Sequence, residues 1–132
     1  MPVANSQDDR YKDTLSSEQY EVLRRAGTEP PFSGKLLYNQ DKGQYRCAAC
    51  GAIIFVSTTK YDSGSGWPSF NDAVPGAVKL AEDNSHDMHR IEVSCARCGS
   101  HLGHLFDDPN QPTGKDYCIN SVAMTFEKSK KS

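Results

Sequence analysis

The unit Cys-x-x-Cys-Gly occurs twice, as Cys47-Ala48-Ala49-Cys50-Gly51 and Cys95-Ala96-Arg97-Cys98-Gly99. No other feature of the chain narrows its possible folds so far. Two such pairs supply the four thiolates of a closed tetrahedral zinc site. A spacing of two residues lets one tight turn aim both sulfurs at a single ion, and Gly51 and Gly99 permit the backbone conformation that closes it. The intervening residues, 51 to 94, outnumber the spacer of a compact zinc ribbon. The ion is therefore expected to tie together two distant hairpins rather than to fold a small finger. With sulfur at every position no place remains for water, so the expected Zn2+ is structural and not a Lewis acid. A redox-active CxxC or a pair of disulfides are the competing readings.

A metal staple suits the rest of the composition. The chain has 132 residues, 36% of them apolar, and ten glycines, which allows one domain with a modest, loop-rich core. Net charge is −2 and basic residues cluster only in the last few positions, so there is no electrostatic footprint for nucleic acid. No stretch approaches the ~20 apolar residues of a membrane span, and MPVANSQDDR lacks the apolar core of a secretory signal. Five cysteines, an odd number, fit a reducing compartment better than a disulfide framework, and a cytoplasmic monomer is expected.

Residues 1 to 13 are polar and aperiodic, a flexible N-terminal segment; 14 to 127 form the single expected domain, and 128 to 132 a solvated tail. A short helix is expected to start at Ser16, with Gln19 completing a capping box, and to end at Gly27 before Pro30 and Pro31. From Phe32 onward the pattern becomes short β-type runs between turn residues: KLLY, QYRC, AIIFV, GAVKL, HRIEVSC, YCINS and VAMTF. The fold class predicted is mainly β with one N-terminal helix, in antiparallel sheet stapled by zinc.

The fifth cysteine, Cys118, lies in DYCINS. Strand alternation there puts Asp116, Cys118 and Asn120 on one face and Tyr117 and Ile119 on the other. A solitary cysteine is more often a small core residue than a nucleophile. However, HLGH places His101 and His104 just after the last zinc ligand, where a sulfur-saturated ion does not need them, and they are available for proton transfer. Surface or core histidines are the alternative. The one tryptophan, Trp67, is held between Gly66 and Pro68, a rigid loop that can present the ring as a pocket wall or simply pack it.

These residues together resemble the methionine-R-sulfoxide reductase B family in its zinc-containing form. The resemblance runs through GTEPPFSG (27 to 34), CAAC, YDSGSGWPSF (61 to 70), MHRIEVSCARCGSHLGH (88 to 104), PTGKDYCINS (112 to 121) and Phe126. It implies two antiparallel sheets in a partly barrel-like fold, zinc on Cys47, Cys50, Cys95 and Cys98, and reduction of methionine-R-sulfoxide, free or in proteins. By position it implies a catalytic role for Cys118, a methyl-binding role for Trp67, and polar roles around the sulfoxide oxygen for His101, His104, Asp108 and Asn120. Phe106 falls near the same pocket.

The chain departs from the family pattern twice. Ser65 stands where many members have a resolving cysteine, so no thiol is left to close an internal disulfide. Regeneration is then expected from an external reductant: thioredoxin, glutaredoxin or a small thiol. Asp116 stands where arginine is usual, and a carboxylate on the face of Cys118 disfavours its thiolate. The expected chemistry is attack of Cys118 on the sulfoxide, protonation of the oxygen by a histidine or an Asp108 network, and a Cys118 sulfenic acid. The rival readings are a zinc-ribbon-like binding module without catalysis and a thiol enzyme of another class, such as a peroxidase or hydrolase.

Overall fold

A computed structural model describes residues 15–25, 27–84 and 90–129. The flexible segment expected over 1 to 13, residues 130 to 132 of the tail, and Met88 and His89 of the MHRIEVSC run lie outside the described residues.

Helix α1, Ser17–Arg25, starts with the capping box expected. Gln19 N–H donates to Ser16 Oγ at 3.1 Å and Ser16 N–H donates to Gln19 Oε1 at 3.0 Å, which satisfies reciprocally two donors that have no intrahelical acceptor. Gly27 N–H folds back onto Glu21 O at 2.8 Å, a wrap that closes the C-terminal end. Val22 and Leu23 form the buried face of α1.

The strands are β1 Gly43–Cys47, β2 Ile53–Val56, β3 Lys60–Tyr61, β4 Ser69–Phe70, β5 Val78–Asp83, β6 Arg90–Cys95, β7 His101–Asp107, β8 Lys115–Ile119 and β9 Met124–Lys128. They build a three-stranded sheet, β2-β1-β9, and a six-stranded sheet, β3-β4-β8-β7-β6-β5. Both sheets are antiparallel and neither closes into a barrel. The expected class stands, mainly β with one helix in two antiparallel sheets, and its barrel-like aspect amounts to two open sheets packed face to face.

An aromatic seam joins them. Tyr45 and Phe55 from the small sheet meet Phe70 and Tyr117 from the large one: Phe55 stacks on Phe70 at 4.3 Å, Tyr45 meets Phe70 edge-on at 5.1 Å, and Phe55 meets Tyr117 at 5.7 Å. Such pairs add roughly 0.5–1.5 kcal/mol each beyond their buried area. Ile54, Val93, Leu102 and Ile119 complete the core, all fully buried.

One expected strand is absent. KLLY, residues 35 to 38, forms successive reverse turns, with Leu37 N–H donating to Gly34 O at 3.3 Å and Asn39 N–H to Leu36 O at 3.2 Å. The run is apolar without alternating: Leu37 is buried, whereas Tyr38 is 69% exposed. Ser121 Oγ accepts the Leu36 N–H at 3.2 Å, the place a neighbouring strand would otherwise fill.

Candidate active site

The two Cys-x-x-Cys-Gly units form matching knuckles. Gly51 N–H donates to Cys47 O and Gly99 N–H to Cys95 O, each at 2.8 Å. Gly51 and Gly99 have φ of +81° and +78° with open space where a Cβ would stand. Backbone conformation and not crowding therefore requires glycine at both places. One knuckle is the β1–β2 turn and the other the β6–β7 turn, so the sulfurs meet between hairpins of different sheets, as the long spacer predicts. Arg24 Nη1 pins α1 to the second knuckle by donating to Cys98 O at 3.1 Å and Ser100 Oγ at 3.0 Å.

Cys47, Cys50, Cys95 and Cys98 place all four sulfurs within 4.8 Å of one another. The pairs Cys47–Cys98 and Cys50–Cys95 are 3.7 and 3.6 Å apart. Bonds of about 2.3 Å to a tetrahedral zinc put sulfurs roughly 3.8 Å apart, so the donor set and its spacing fit the ion. The thiols push one another in opposite directions: hydrogen bonds from Cys47 and Cys95 hold Cys98 well below the usual thiol range, and burial raises Cys50 to about 11. Four sulfurs so close cannot all be thiolates without a cation among them.

The second set of functional groups lies on the large sheet, on the face opposite the aromatic seam. Antiparallel partners project to the same face, and the register aligns one residue from each strand: Tyr61 beside Ser69, Ser69 beside Cys118, Cys118 beside His104, His104 beside Glu92, and Glu92 beside Ala81. A parallel row carries Asp116, Phe106, Arg90 and Asp83. Because Gly103 lacks a Cβ, β7 can lie flat against β8, where a Cβ would collide with the Cys118 carbonyl oxygen.

His101 joins this face through a β-bulge. Val93 pairs with Gly103 and Ser94 with His101, so Leu102 is the extra residue. Without it, positions 101 and 104 would point to opposite faces. With it the two rings sit edge to face at 5.3 Å. Each imidazole is held by a carboxylate: His101 Nδ1 lies 2.7 Å from Glu92 Oε2 and His104 Nε2 lies 2.7 Å from Asp83 Oδ2. Burial lowers the pKa of His101 and Glu92 partly restores it, while its Nε2 is buried with no hydrogen-bond partner.

Cys118 is 8% exposed and surrounded by hydroxyls. Its Sγ lies 3.6 Å from Ser65 Oγ and 3.8 Å from Ser69 Oγ. Burial, reinforced by the Asp116 charge, pushes the thiol up to about 12. Sequence reasoning expected the Asp116 effect; desolvation outweighs it.

A cleft of about 60 Å³ opens beside the sulfur, bordered by Trp67, Arg90, His104, Phe106, Cys118 and Asn120. A much larger hollow, about 880 Å³ along β1 and β9, is lined by residues that include Lys42, Arg46 and Glu127 and holds neither thiol nor imidazole. Chemistry and not size therefore picks the site. Trp67 is half-buried, its indole N–H donating to Glu29 O at 3.0 Å. Its loop is braced from outside by Phe32, whose N–H donates to Gly66 O at 2.6 Å and whose φ of +65° is strained for an aromatic residue. Phe106, 43% exposed, stands at the rim.

Three expected members sit differently, the first being His101, which does not border the cleft and lies behind the His104 ring. Asn120 is a strut, its Oδ1 accepting the Glu29 N–H at 3.0 Å and its Nδ2–H donating to Leu102 O at 2.9 Å, though it also borders the cleft. Asp108 is not on the cleft wall; its Oδ2 accepts the Tyr61 hydroxyl at 2.7 Å and its Oδ1 the Asn110 N–H at 3.1 Å. Sequence reasoning missed Glu92 and Asp83, the partners of the histidines, and Glu29. The Glu29 carboxylate accepts the Ser121 and Val122 N–H groups at 2.9 and 3.1 Å and locks the strand end beyond Cys118. The alternation of Arg90, Glu92 and Ser94 in RIEVSC could have revealed Glu92. Nothing local marks Glu29.

A sheet that carries a four-cysteine cluster fit for a metal ion and, apart from it, a buried thiol near two carboxylate-held imidazoles offers the groups of a thiol enzyme rather than those of a binding ribbon. Among solved structures, the Mis18 Yippee-like domain shares the fold, with a TM-score of 0.54 at 18% identity, covering 67% of this chain and 97% of that one. The SelR domain model matches residues 15–128. Curated relatives include a peptide methionine sulfoxide reductase MsrB of Methanosarcina mazei, 58% identical over 96% of this chain and 90% of its own, and one of Leptospira interrogans, 54% identical over 94% and 95%. Mouse mitochondrial methionine-R-sulfoxide reductase B3 is 50% identical over 85% of this chain and 45% of its own. The chain belongs to the SelR family, the methionine-R-sulfoxide reductases B.

Proposed function

We propose that the chain reduces methionine-R-sulfoxide, free or within proteins, through a sulfenic acid on Cys118, and that an external thiol regenerates it. The observation that carries this reading is the row Ser69–Cys118–His104–Glu92. It sets a nucleophilic sulfur beside the His104 imidazole, which Asp83 holds from the neighbouring row, next to a cleft lined by Trp67. The cleft is small, about 60 Å³, which suits the methyl-sulfinyl end of a side chain rather than a larger group. The methyl group lies against the indole, and the oxygen points toward the histidines.

Attack of the Cys118 sulfur reduces the sulfoxide sulfur by two electrons and oxidises the cysteine by two. His104 and His101, oriented by Asp83 and Glu92, donate toward the departing oxygen. His101 donates from Nε2, its unpartnered nitrogen, only when the ring is protonated, since Glu92 holds the Nδ1 hydrogen. Asn120 holds the backbone of the cleft and keeps one amide hydrogen for the oxygen. Asp108 acts through Tyr61 as part of the polar surround. Methionine leaves, and Cys118 carries the oxygen as sulfenic acid.

The remaining cysteines all belong to the quartet, where they hold a structural Zn2+, and the side chain nearest Cys118 at the position of a second thiol is the Ser65 hydroxyl. The sulfenic acid therefore condenses with thioredoxin, glutaredoxin or a small thiol, and a second thiol cleaves the mixed disulfide. Residues 14 to 127 suffice as the catalytic unit in this reading, with no nucleic acid or membrane as partner. No helix among the described residues is long and apolar enough to cross a membrane.

The test is single turnover of each sulfoxide epimer with wild type and Cys118→Ser. The R epimer should be consumed stoichiometrically, with a dimedone-reactive sulfenic acid on Cys118, and Cys118→Ser should be inert with its fold intact. Activity surviving that substitution would remove the assignment.

A further inference from the structure

Cys118 is 8% exposed, and burial pushes its thiol up to about 12, so the sulfur keeps its proton near neutral pH. A nucleophile of this kind cannot rely on a standing thiolate; its proton must be removed as the sulfur attacks, and a base must lie beside it. The histidines are already turned toward carboxylates. Asp116 is the ionisable group on the strand face of Cys118 that has no such commitment.

Four observations single it out. Asp116 is two residues before Cys118 on β8, on the same face. It is 7% exposed, and its Oδ1 is enclosed with no hydrogen-bond donor. Arg90, in the same cross-strand row, pairs with Asp83 at 3.4 Å, and Phe106 stands between it and Asp116. Finally, the hydrogen-bonding groups around the carboxyl are the Cys118 thiol and the hydroxyls of Ser69 and Ser63, and Ser69 Oγ already donates to Trp67 O at 3.1 Å. The titratable groups facing Asp116 are Cys118 on its own strand, Asp108 from the β7–β8 connection, and Tyr61 from β3, whose hydroxyl is given to Asp108. None brings a cation.

We propose that Asp116 is the proton acceptor for Cys118, so that the sulfur is deprotonated by a neighbouring carboxylate during attack rather than held as a thiolate. The inference rests on the reading of Cys118 as the sulfoxide-attacking residue. In the step, the Cys118 S–H bond breaks and its proton goes to Asp116. The sulfur's electron pair forms a bond to the sulfoxide sulfur, and the histidine side delivers one proton to the oxygen; the S–O bond then breaks as the hydroxyl passes to the Cys118 sulfur, and the transient S–S bond breaks with its electron pair left on methionine. Net, one oxygen atom and two oxidising equivalents pass from methionine sulfoxide to Cys118. Asp116 has gained the proton the imidazoles lost, and solvent restores both. Burial, with Asp108 adding to it, raises Asp116 above the usual carboxylate range and makes it a stronger base than an exposed aspartate.

The experiment compares wild type, Asp116→Asn and Asp116→Glu, each with its zinc content and melting temperature measured. Two readouts are taken across pH: the single-turnover rate on methionine-R-sulfoxide and the rate of Cys118 alkylation by iodoacetamide. Asp116→Asn should slow sulfoxide reduction about 100-fold at neutral pH. It should also abolish the acid limb of the profile, so that the rate climbs with thiolate concentration. Alkylation should move the other way, its midpoint shifting to lower pH because the repelling charge is gone. Asp116→Glu should keep the acid limb at a reduced rate. A purely structural role would slow both readouts or neither. Asp116→Asn reducing sulfoxide as fast as wild type, or faster, overturns the proposal, as would loss of the acid limb in Asp116→Glu. Wild type that leaves the R epimer untouched would sink the functional reading instead. In that event an alkylation profile unchanged by Asp116→Asn would sink the Cys118–Asp116 pairing as well.

Discussion

Two groups of sulfur occupy this chain under opposite rules. In the quartet, Cys47, Cys50, Cys95 and Cys98 are brought so close that their charges are tolerable only around a shared cation. At Cys118 the sulfur is kept from every other thiol, wrapped by hydroxyls and a carboxylate, and burial keeps its proton on. The quartet's neighbours are backbone turns and an arginine that docks a helix, all of which fix position. The neighbours of Cys118 are hydroxyls, an imidazole and a carboxyl, groups able to exchange protons. On the reading proposed above, cysteine takes its chemistry from what its surroundings do with charge: a cluster suits a metal, and isolation leaves reactivity to be switched on by a base.

Removal of an ion held by the quartet is the most drastic way to break the contrast. The quartet joins the β1–β2 hairpin of one sheet to the β6–β7 hairpin of the other. Structural zinc contributes on the order of 10 kcal/mol in small domains, comparable to a whole domain's stability of about 5–15 kcal/mol. Cys95→Ser, or a strong chelator, should therefore abolish the cooperative thermal transition, followed by circular dichroism. Cys118→Ser should leave that transition within a few degrees of wild type, because only a small buried side chain changes. Equal destabilisation by the two substitutions would erase the distinction.

Geometry also allows the isolation of Cys118 to be undone. Ser65 Oγ stands 3.6 Å from Cys118 Sγ on a loop between Gly64 and Gly66, both at positive φ. Ser65→Cys should convert the sulfenic acid into an internal disulfide during turnover, a loss of two hydrogens detectable by mass spectrometry. The accumulated sulfenic acid should fall at least tenfold. Persistent sulfenic acid with no disulfide would show that the loop cannot close the remaining gap.

The carboxylates behind the imidazoles offer a smaller handle. Glu92→Gln keeps the hydrogen-bonding shape at His101 and removes the charge. Burial then lowers the His101 pKa against only the weaker pull of Asp83, and the single-turnover rate on methionine-R-sulfoxide should fall about tenfold at neutral pH, recovering toward acid pH as the ring protonates. A rate unchanged between pH 6 and 8 would show that His101 does not give up a proton.

The quartet was the most legible part of the molecule, since its ligands come from two local turns whose spacing and glycines are written in sequence. The face of Cys118 was legible too, because period-two alternation over DYCINS needs no knowledge of partners. What alternation could not supply was the bulge at Leu102. HLGH reads equally well as histidines on opposite faces, and only pairing with β6 brings His101 beside His104. Glu92, Asp83 and Glu29 escaped for the same reason: each acts through a residue distant in sequence, and a carboxylate carries no local sign of its partner. Lys35–Tyr38 was misread because two leucines in a row satisfy a strand pattern, yet the backbone there bonds to itself and to the Ser121 hydroxyl.

The weakest expected effect concerns stability. Asp116 is a buried carboxyl whose Oδ1 has no donor, and burial raises its pKa above the ordinary value of 3.8. The folded chain therefore binds this proton more tightly than the unfolded chain does. Stability from that preference is fully present below the unfolded pKa and is lost as pH rises through the folded one. Asn at this position carries no charge to desolvate, so the melting temperatures of Asp116→Asn and wild type should coincide near pH 3.5. They should then separate as pH passes through the raised carboxyl range and differ by a constant amount beyond it. With a cost on the order of 1 kcal/mol for the buried charge, the variant should melt roughly 3–6 °C higher at pH 7.5. A variant less stable than wild type at pH 7.5 would mean that the carboxylate is held by donors stronger than the serine hydroxyls. Such donors would stabilise the ionised form and remove the basicity on which proton transfer from Cys118 depends.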